Sequence, residues 1–351
     1  MKDQHAQIAW QDRRPVGLTT PIEGDASGRG QPGRGVGRSR GRLLVASLVS
    51  VAVSISGCAG SQGAASTATP NQTATRTAPG RAVSPPAKES SREVPVLPAP
   101  DAAIPKDPSR LAESLISTTA RLRQATDDWV REGNPAKGEA PEPVVLLALH
   151  QQRVYRYLAG DPKVASRTYA RLPKALARQA EDNVTAIRDL RSLVRPITGS
   201  AKFRVQPPKP ADVLLGHFRH AERRFGVEWE VLAAVMFVET KFGRVRSPSY
   251  TGAKGPMQFM PGTWAAYGMG GDIQDTRDAL LAAANYLHAS GAPRDYRRAL
   301  YAYNHSQAYV DAVLLHARQM KQDIRNYYAY YNWQVFVVTT QGDRRLTGPD
   351  R

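Results

Sequence analysis

The chain has a single cysteine, Cys58, in 351 residues, so no disulfide can form within it and no cluster of thiolates can hold a metal. HExxH and clustered-histidine patterns are absent, as are a twelve-residue calcium loop and a phosphate-cradling glycine motif. Zinc is not expected, and neither is any other metal or cofactor. Aromatic residues make up only 7% of the chain against 28 Gly and 26 Pro, which predicts that much of its length is not packed core. Acids are in deficit: 31 Asp and Glu against 48 Lys and Arg leave a formal charge of +17. Such a charge draws an exported protein to anionic wall polymers or lipid head groups and a cytosolic one to nucleic acid, so the compartment decides the partner. A long hydrophobic run is missing too. The apolar stretch Leu43 to Val53 is too short and too rich in small residues for a comfortable membrane span.

What is present around that stretch points to export. Arg38, Arg40 and Arg42 precede it, and it closes on Ile55-Ser56-Gly57-Cys58, which resembles the lipobox of bacterial lipoproteins, where cleavage before the cysteine is coupled to its lipidation. The resemblance implies a lipid anchor at Cys58; an ordinary signal peptide with a chance cysteine is the alternative. The chain then divides into an export signal with lipobox (1–57), an Ala/Ser/Thr/Pro tether (58–108), a helical region of unassigned role (109–204), a further helical domain (205–330) and a C-terminal strand and tail (331–351). The tether is nearly free of aromatic residues and buries too little surface to offset the entropy of ordering.

Within 109–204, apolar positions recur at helical spacing from Leu111 to Leu122, from Val144 to Leu158 and from Leu172 to Val194, punctuated by Gly133-Asn134-Pro135 and Gly160-Asp161-Pro162. They predict a helical hairpin or small bundle. Pro207-Pro208-Lys209-Pro210 stops helical structure and marks the next boundary. Beyond it, Asp275 and Asp278 look like a helix start, a helix ends at Asn304, and another runs from about Gln307 through Met320. Trp333 to Thr340 has strand composition. The expected class is all-α, α+β at most, with a short C-terminal strand or hairpin.

The chemistry concentrates near Glu239. It ends an apolar run, Val231 to Val238, with Val235 and Met236 one turn before it, so a helix turns this acid toward the apolar side. Desolvation and the negative end of the helix dipole, with Gly243 as the expected helix stop, both favour its protonated form. A carboxylic acid kept neutral can donate a proton to a glycosidic oxygen. A structural acid paired with Lys241 or Arg244 is the competing reading of the same residues.

Glu239-Thr240-Lys241-Phe242-Gly243, the loop Gly252-Ala253-Lys254-Gly255-Pro256-Met257-Gln258-Phe259-Met260-Pro261, Thr263-Trp264 and Ala302-Tyr303-Asn304 together resemble the soluble lytic transglycosylase family, whose fold is lysozyme-like and shared with goose-type lysozyme. The likeness covers roughly residues 205 to 330. It implies that Glu239 is the single catalytic acid and base, that the substrate's acetamido group and 6-hydroxyl replace a second carboxylate, and that the product carries a 1,6-anhydro ring. It also implies that Ser249, Gln258, Met260, Tyr303 and Asn304 contact the glycan. Three of them have a plainer reading, Met260 (with Phe259) as core, Gln258 as a backbone partner and Asn304 as a helix cap, while Tyr303 near an acid is harder to dismiss. Asp272, Asp275 and Asp278 fit capping better than a second catalytic carboxylate. Two positions depart from the family pattern, His305-Ser306 where small residues are common and Thr240 where Ser is frequent. The implied partners are peptidoglycan glycan strands, the membrane through Cys58, and wall-synthesis or division proteins; nucleic acid is not expected. A goose-type hydrolase and a non-catalytic wall-binding or scaffold module are the alternative functions.

Overall fold

Asp107 starts the first helix: its carboxylate accepts the backbone N–H groups of Ser109 and Arg110, which have no partner inside the helix. In the computed structural model, which describes residues 96–198, 204–249 and 251–348, α1 (Pro108–Glu132) packs on α2 (Glu142–Gly160), α3 (Pro162–Tyr169) packs on both, and α4 (Lys174–Ser192) packs on α2 and α3. Gly133 ends α1, and Asp161 both closes α2 and caps α3 by accepting from Lys163 and Val164. The described residues belong to one compact unit. The export signal, Cys58 and most of the tether lie outside them. Among the described residues no helix is long and apolar enough to cross a membrane.

After Pro207–Pro210 come α5 (Ala211–Phe225), α6 (Trp229–Thr240), α7 (Pro261–Tyr267), α8 (Thr276–Ala289), α9 (Tyr296–Tyr303), α10 (Gln307–Gln322) and α11 (Arg325–Tyr331). A hairpin of β1 (Phe336–Thr339) and β2 (Gly342–Arg345) follows, with Phe336 opposite Arg345 and Thr339 opposite Gly342. The class is the expected one, all-α with a C-terminal hairpin. The hairpin is shorter than the strand-like stretch because Trp333, Gln334 and Val335 are buried ahead of it, Trp333 against the rings of Tyr155, Phe237 and Tyr330.

Helix α6 is the axis of the core. Every residue from Val231 to Thr240 is buried, and a helix apolar on all sides can only sit inside. α10 lies antiparallel beside it: Tyr309 at its start meets Glu239 at the end of α6, while Lys321 at its end pairs with Glu228 at the start of α6. The far side of α10 packs on α4. Helices on both sides of Pro207–Pro210 therefore share one hydrophobic core, and the proline segment joins its halves instead of dividing two cores.

Short α11 holds this arrangement together, and nothing in the periodicity announced it. Its buried tyrosines reach out to the neighbouring segments: Tyr327 donates to Ala211 O, Tyr328 to Asp212, Tyr330 to Asn183 of α4 and Tyr331 to Lys209 O. The scarce aromatic residues are thus spent where two halves of the chain meet, each ring burying surface while its hydroxyl finds a partner. The chain departs from the expected tether at its end. Leu97 and Ile104 pack on the core, Arg121 donates to Val96 O, and Arg153 donates to Pro100 O and Ala102 O. Guanidinium donors with fixed geometry order a segment whose own composition would not.

Candidate active site

Helix α6 stops earlier than Gly243. It ends at Thr240, and Lys241, Phe242 and Gly243 follow with φ of 52°, 60° and 82°, a left-handed run that turns the chain sharply away from the acid. Thr240 ties this turn to the glycine loop: its hydroxyl donates to Pro256 O at 2.7 Å and accepts from Gly243 N at 2.9 Å. The departure from serine at this position keeps the hydroxyl, which is the part the turn uses.

Glu239 is 1% exposed. Its Oε1 accepts the Tyr309 hydroxyl at 2.8 Å, while its Oε2 is buried and has no protein partner. Among the described residues no cation forms an ion pair with it. Lys241 donates to Phe237 O, and Arg244 donates to Lys241 O while covering the Tyr331 ring. The competing reading of Glu239 as half of an ion pair therefore does not describe its contacts. Burial raises its pKa well above the ordinary carboxyl range, and the Tyr309 bond and the Lys241 charge only partly counteract that. Because Oε1 is the accepting oxygen, the proton of the neutral acid belongs on Oε2.

The loop from Ser249 to Met260 is shaped by its own bonds. Lys254 and Phe259 pair across it, with N···O distances of 2.9 Å in both directions. Gly255 has φ 74°, and a Cβ there would lie 1.9 Å from Ile273 O, so only glycine fits. Gln258 is itself left-handed, at φ 50°, and its amide donates to Gly255 O, as its plainer reading required. Ser249 accepts from Ala253 N at 2.9 Å and shares a hydrogen bond with Thr251, whose hydroxyl lies 3.9 Å from the Met260 sulfur. Met260 precedes α7 and is 41% exposed, so it is not core; Phe259 is core, at 2%.

Tyr303 and Asn304 arrive from the end of α9. Tyr303 donates to Met257 O at 2.6 Å, and burial together with the nearby Glu239 carboxyl pushes the Tyr303 and Tyr309 hydroxyls well above the ordinary phenol range, so both stay protonated. Its ring belongs to a row that runs from Trp264 through Phe259 and Tyr303 to Tyr286 and Tyr267. Asn304 is buried and is the residue at which α9 ends. Asp275 caps α8, Asp272 accepts from Gln274 N, and Asp278 accepts from Asp272 N, so all three acids serve backbone near the start of α8.

Two groupings result. Glu239, Tyr303 and Tyr309 gather at the junction of α6, α9 and α10, while Ser249, Thr251 and Met260 bond among themselves on the loop. Tyr309 was not singled out from the sequence. Its one signal there is its place on the first turn of the helix that follows Ala302-Tyr303-Asn304, where a tyrosine returns toward whatever those residues line. Among the described residues no group of three or more His, Cys, Asp or Glu side chains is placed to hold a metal ion.

Residues 216–326 match the family model described as the transglycosylase SLT domain. The match spans less than half of the chain, and it contains Glu239, the glycine loop, Tyr303, Asn304 and Tyr309. No curated protein and no solved structure matches the chain. The chain carries a lysozyme-like domain of the soluble lytic transglycosylase kind, which supports a peptidoglycan-cleaving role.

Proposed function

We propose, with a transglycosylase SLT domain at 216–326 as the premise, that this protein is a lytic transglycosylase cleaving the β-1,4 linkage between N-acetylmuramic acid and N-acetylglucosamine with formation of 1,6-anhydro ends. The observation that carries the reading is the unpartnered, buried Oε2 of a carboxyl whose other oxygen is held by Tyr309. Burial keeps the group neutral and leaves its proton on the oxygen that no protein group occupies. That proton goes to the glycosidic oxygen as the bond to the muramic C1 breaks. The resulting carboxylate, stabilised by the Tyr309 hydroxyl, then takes the proton of the 6-hydroxyl as its oxygen closes on C1. One acid serves twice, and no water is consumed. Gln258 and Asn304 offer amides to acetamido groups, Ser249 a hydroxyl, and Met260 and Tyr303 soft apolar faces to sugar rings.

At 1% exposure Glu239 meets a glycan only when neighbouring side chains move aside. Digestion of purified peptidoglycan tests the reading. Soluble products with 1,6-anhydro ends, lost in Glu239→Gln, support it. Reducing ends would indicate a hydrolase, and retention on peptidoglycan without turnover would indicate a binding module.

Export and anchoring at Cys58 belong to the same proposal and rest on the apolar run and the lipobox-like Ile55-Ser56-Gly57-Cys58. One acyl chain binds a membrane only weakly, so anchoring takes several. Cys58→Ala should move the protein out of the membrane fraction, and unchanged fractionation would count against lipidation.

A further inference from the structure

Among the described helices α7 is the one that buries none of its residues. Exposed methionines stand at both its ends, Met260 just before it and Met269, left-handed at φ 51°, just after. Apolar surface left open in this way on a folded domain marks a place where something binds. Two aromatic side chains of α7, Trp264 and Tyr267, are half-exposed. Gly268 clears the place for the indole: a Cβ there would lie 2.6 Å from the Trp264 ring.

These two rings end the aromatic row that passes through Tyr303. From Tyr303 the ring centres advance 5.7 Å to Tyr286 of α8 and a further 4.7 Å to Tyr267, with interplanar angles of 38° and 42°. Phe259, toward Trp264, is core, but Tyr303, Tyr286 and Tyr267 are each half-exposed. Hydrogen bonds fix these three in place. The Tyr303 hydroxyl donates to Met257 O at 2.6 Å, the Tyr286 hydroxyl donates to Ala302 O at 2.8 Å, and Asn285 donates to Tyr267 O at 3.2 Å. A ring already held gives up little conformational freedom when a ligand settles on it. The row also starts at the turn that abuts the end of α6. Met257, which takes the Tyr303 hydroxyl, directly follows Pro256, whose carbonyl takes the hydroxyl of Thr240, the residue after the acid.

We propose that Tyr303, Tyr286 and Tyr267 form a track for the glycan strand, so that the protein recognises a run of sugars and not the cleaved disaccharide alone. The step from ring to ring is close to the advance of one sugar along a β-1,4-linked chain, which lets consecutive rings meet consecutive sugars. The turn of 38° and then 42° between neighbouring rings suits a chain that twists as it extends. Sugar faces carry C–H bonds that point at the negative face of an aromatic ring, and this attraction needs no charge on either side. Tyr267 is then the outermost contact, and α7 stays open because the strand is what covers it.

This inference rests on the glycan-cleaving reading of the site, and its test separates the two. The full chain is titrated by calorimetry with N-acetylglucosamine oligomers of increasing length, as wild type, Tyr267→Ala and Tyr267→Trp. Wild-type affinity should climb with oligomer length, a readout that needs no variant to fold. Tyr267→Ala should weaken binding of the longest oligomers about fivefold, the worth of one ring contact, and spare the shortest. Tyr267→Trp should restore the loss. On peptidoglycan the alanine variant should raise KM more than it lowers kcat. Affinity that does not grow with length, or an alanine variant as tight as wild type on long oligomers, overturns the proposal. So does self-association that Tyr267→Ala abolishes while sugar binding stays intact, since a second copy would then cover the open face. Length-dependent binding through Tyr267 in a protein that releases nothing from peptidoglycan would leave the track standing and remove the enzymatic reading instead.

Discussion

Tyr309→Phe removes one hydroxyl and nothing else from the centre of the site. In the intact protein that hydroxyl donates to Glu239 Oε1 at 2.8 Å, both partners are buried, and Oε2 has no partner to compensate. A hydrogen bond to an ionised group contributes roughly 1.5–3 kcal/mol and one to a neutral group roughly 0.5–1.5 kcal/mol, so the bond favours the carboxylate by about 1.5 kcal/mol. Two consequences follow with fixed sign. The Glu239 pKa, already raised, should rise by about one further unit, since the Tyr309 bond is what holds it down. Turnover should fall about tenfold, because negative charge develops on the carboxyl as the proton leaves and the lost stabilisation is felt in the transition state. The substitution should also cost stability, about 1–3 kcal/mol, because it leaves Glu239 Oε1 buried without its donor. Release of soluble fragments from peptidoglycan across a pH series, together with denaturant unfolding, measures all three effects. A variant that digests within twofold of wild type, with an unmoved basic limb, would refute the role assigned to Tyr309.

Three further outcomes are expected. His316 is buried, has an unpartnered Nδ1, and is brought down to about 3 by burial. Its lowered folded-state pKa means that stability is complete above about 6.5 and is lost as pH falls toward 3, by on the order of 5 kcal/mol over that window; His316→Phe should flatten this slope in urea unfolding between pH 7 and pH 4. Gly255→Ala drives a Cβ to 1.9 Å from the Ile273 carbonyl at a φ of 74°, so it should cost about 2–3 kcal/mol and depress digestion as the loop shifts. A fragment starting at 205 strips α4 from α10 and α2 from Trp333, and should show no cooperative thermal transition although it contains the whole matched domain.

How much of the site could be read in advance differs residue by residue. Glu239 was legible because helical spacing alone places it beneath Val235 and Met236. Asp275 was legible as a cap because capping is decided within a few residues. Tyr309 and Lys241 were not. Tyr309 meets Glu239 only because α10 returns antiparallel to α6, and Lys241, read from the sequence as a possible ion-pair partner of the acid, instead folds back over Phe237. The same holds for the helices before Pro207, whose amphipathic faces were plain but whose partner face was not.

The sequence by itself determined most of the longer helices, the start of α8, that an acid closes the most apolar of them, and that a glycine-framed loop follows. These depend on contacts within a turn or two, where spacing is the geometry. Only the tertiary structure decided that the acid is held by a tyrosine seventy positions away along the chain, that a strained lysine shares its helix end, and that the unassigned helical region is built into the core around it. Such facts follow from how apolar faces cover one another, and a face in a sequence does not say what covers it.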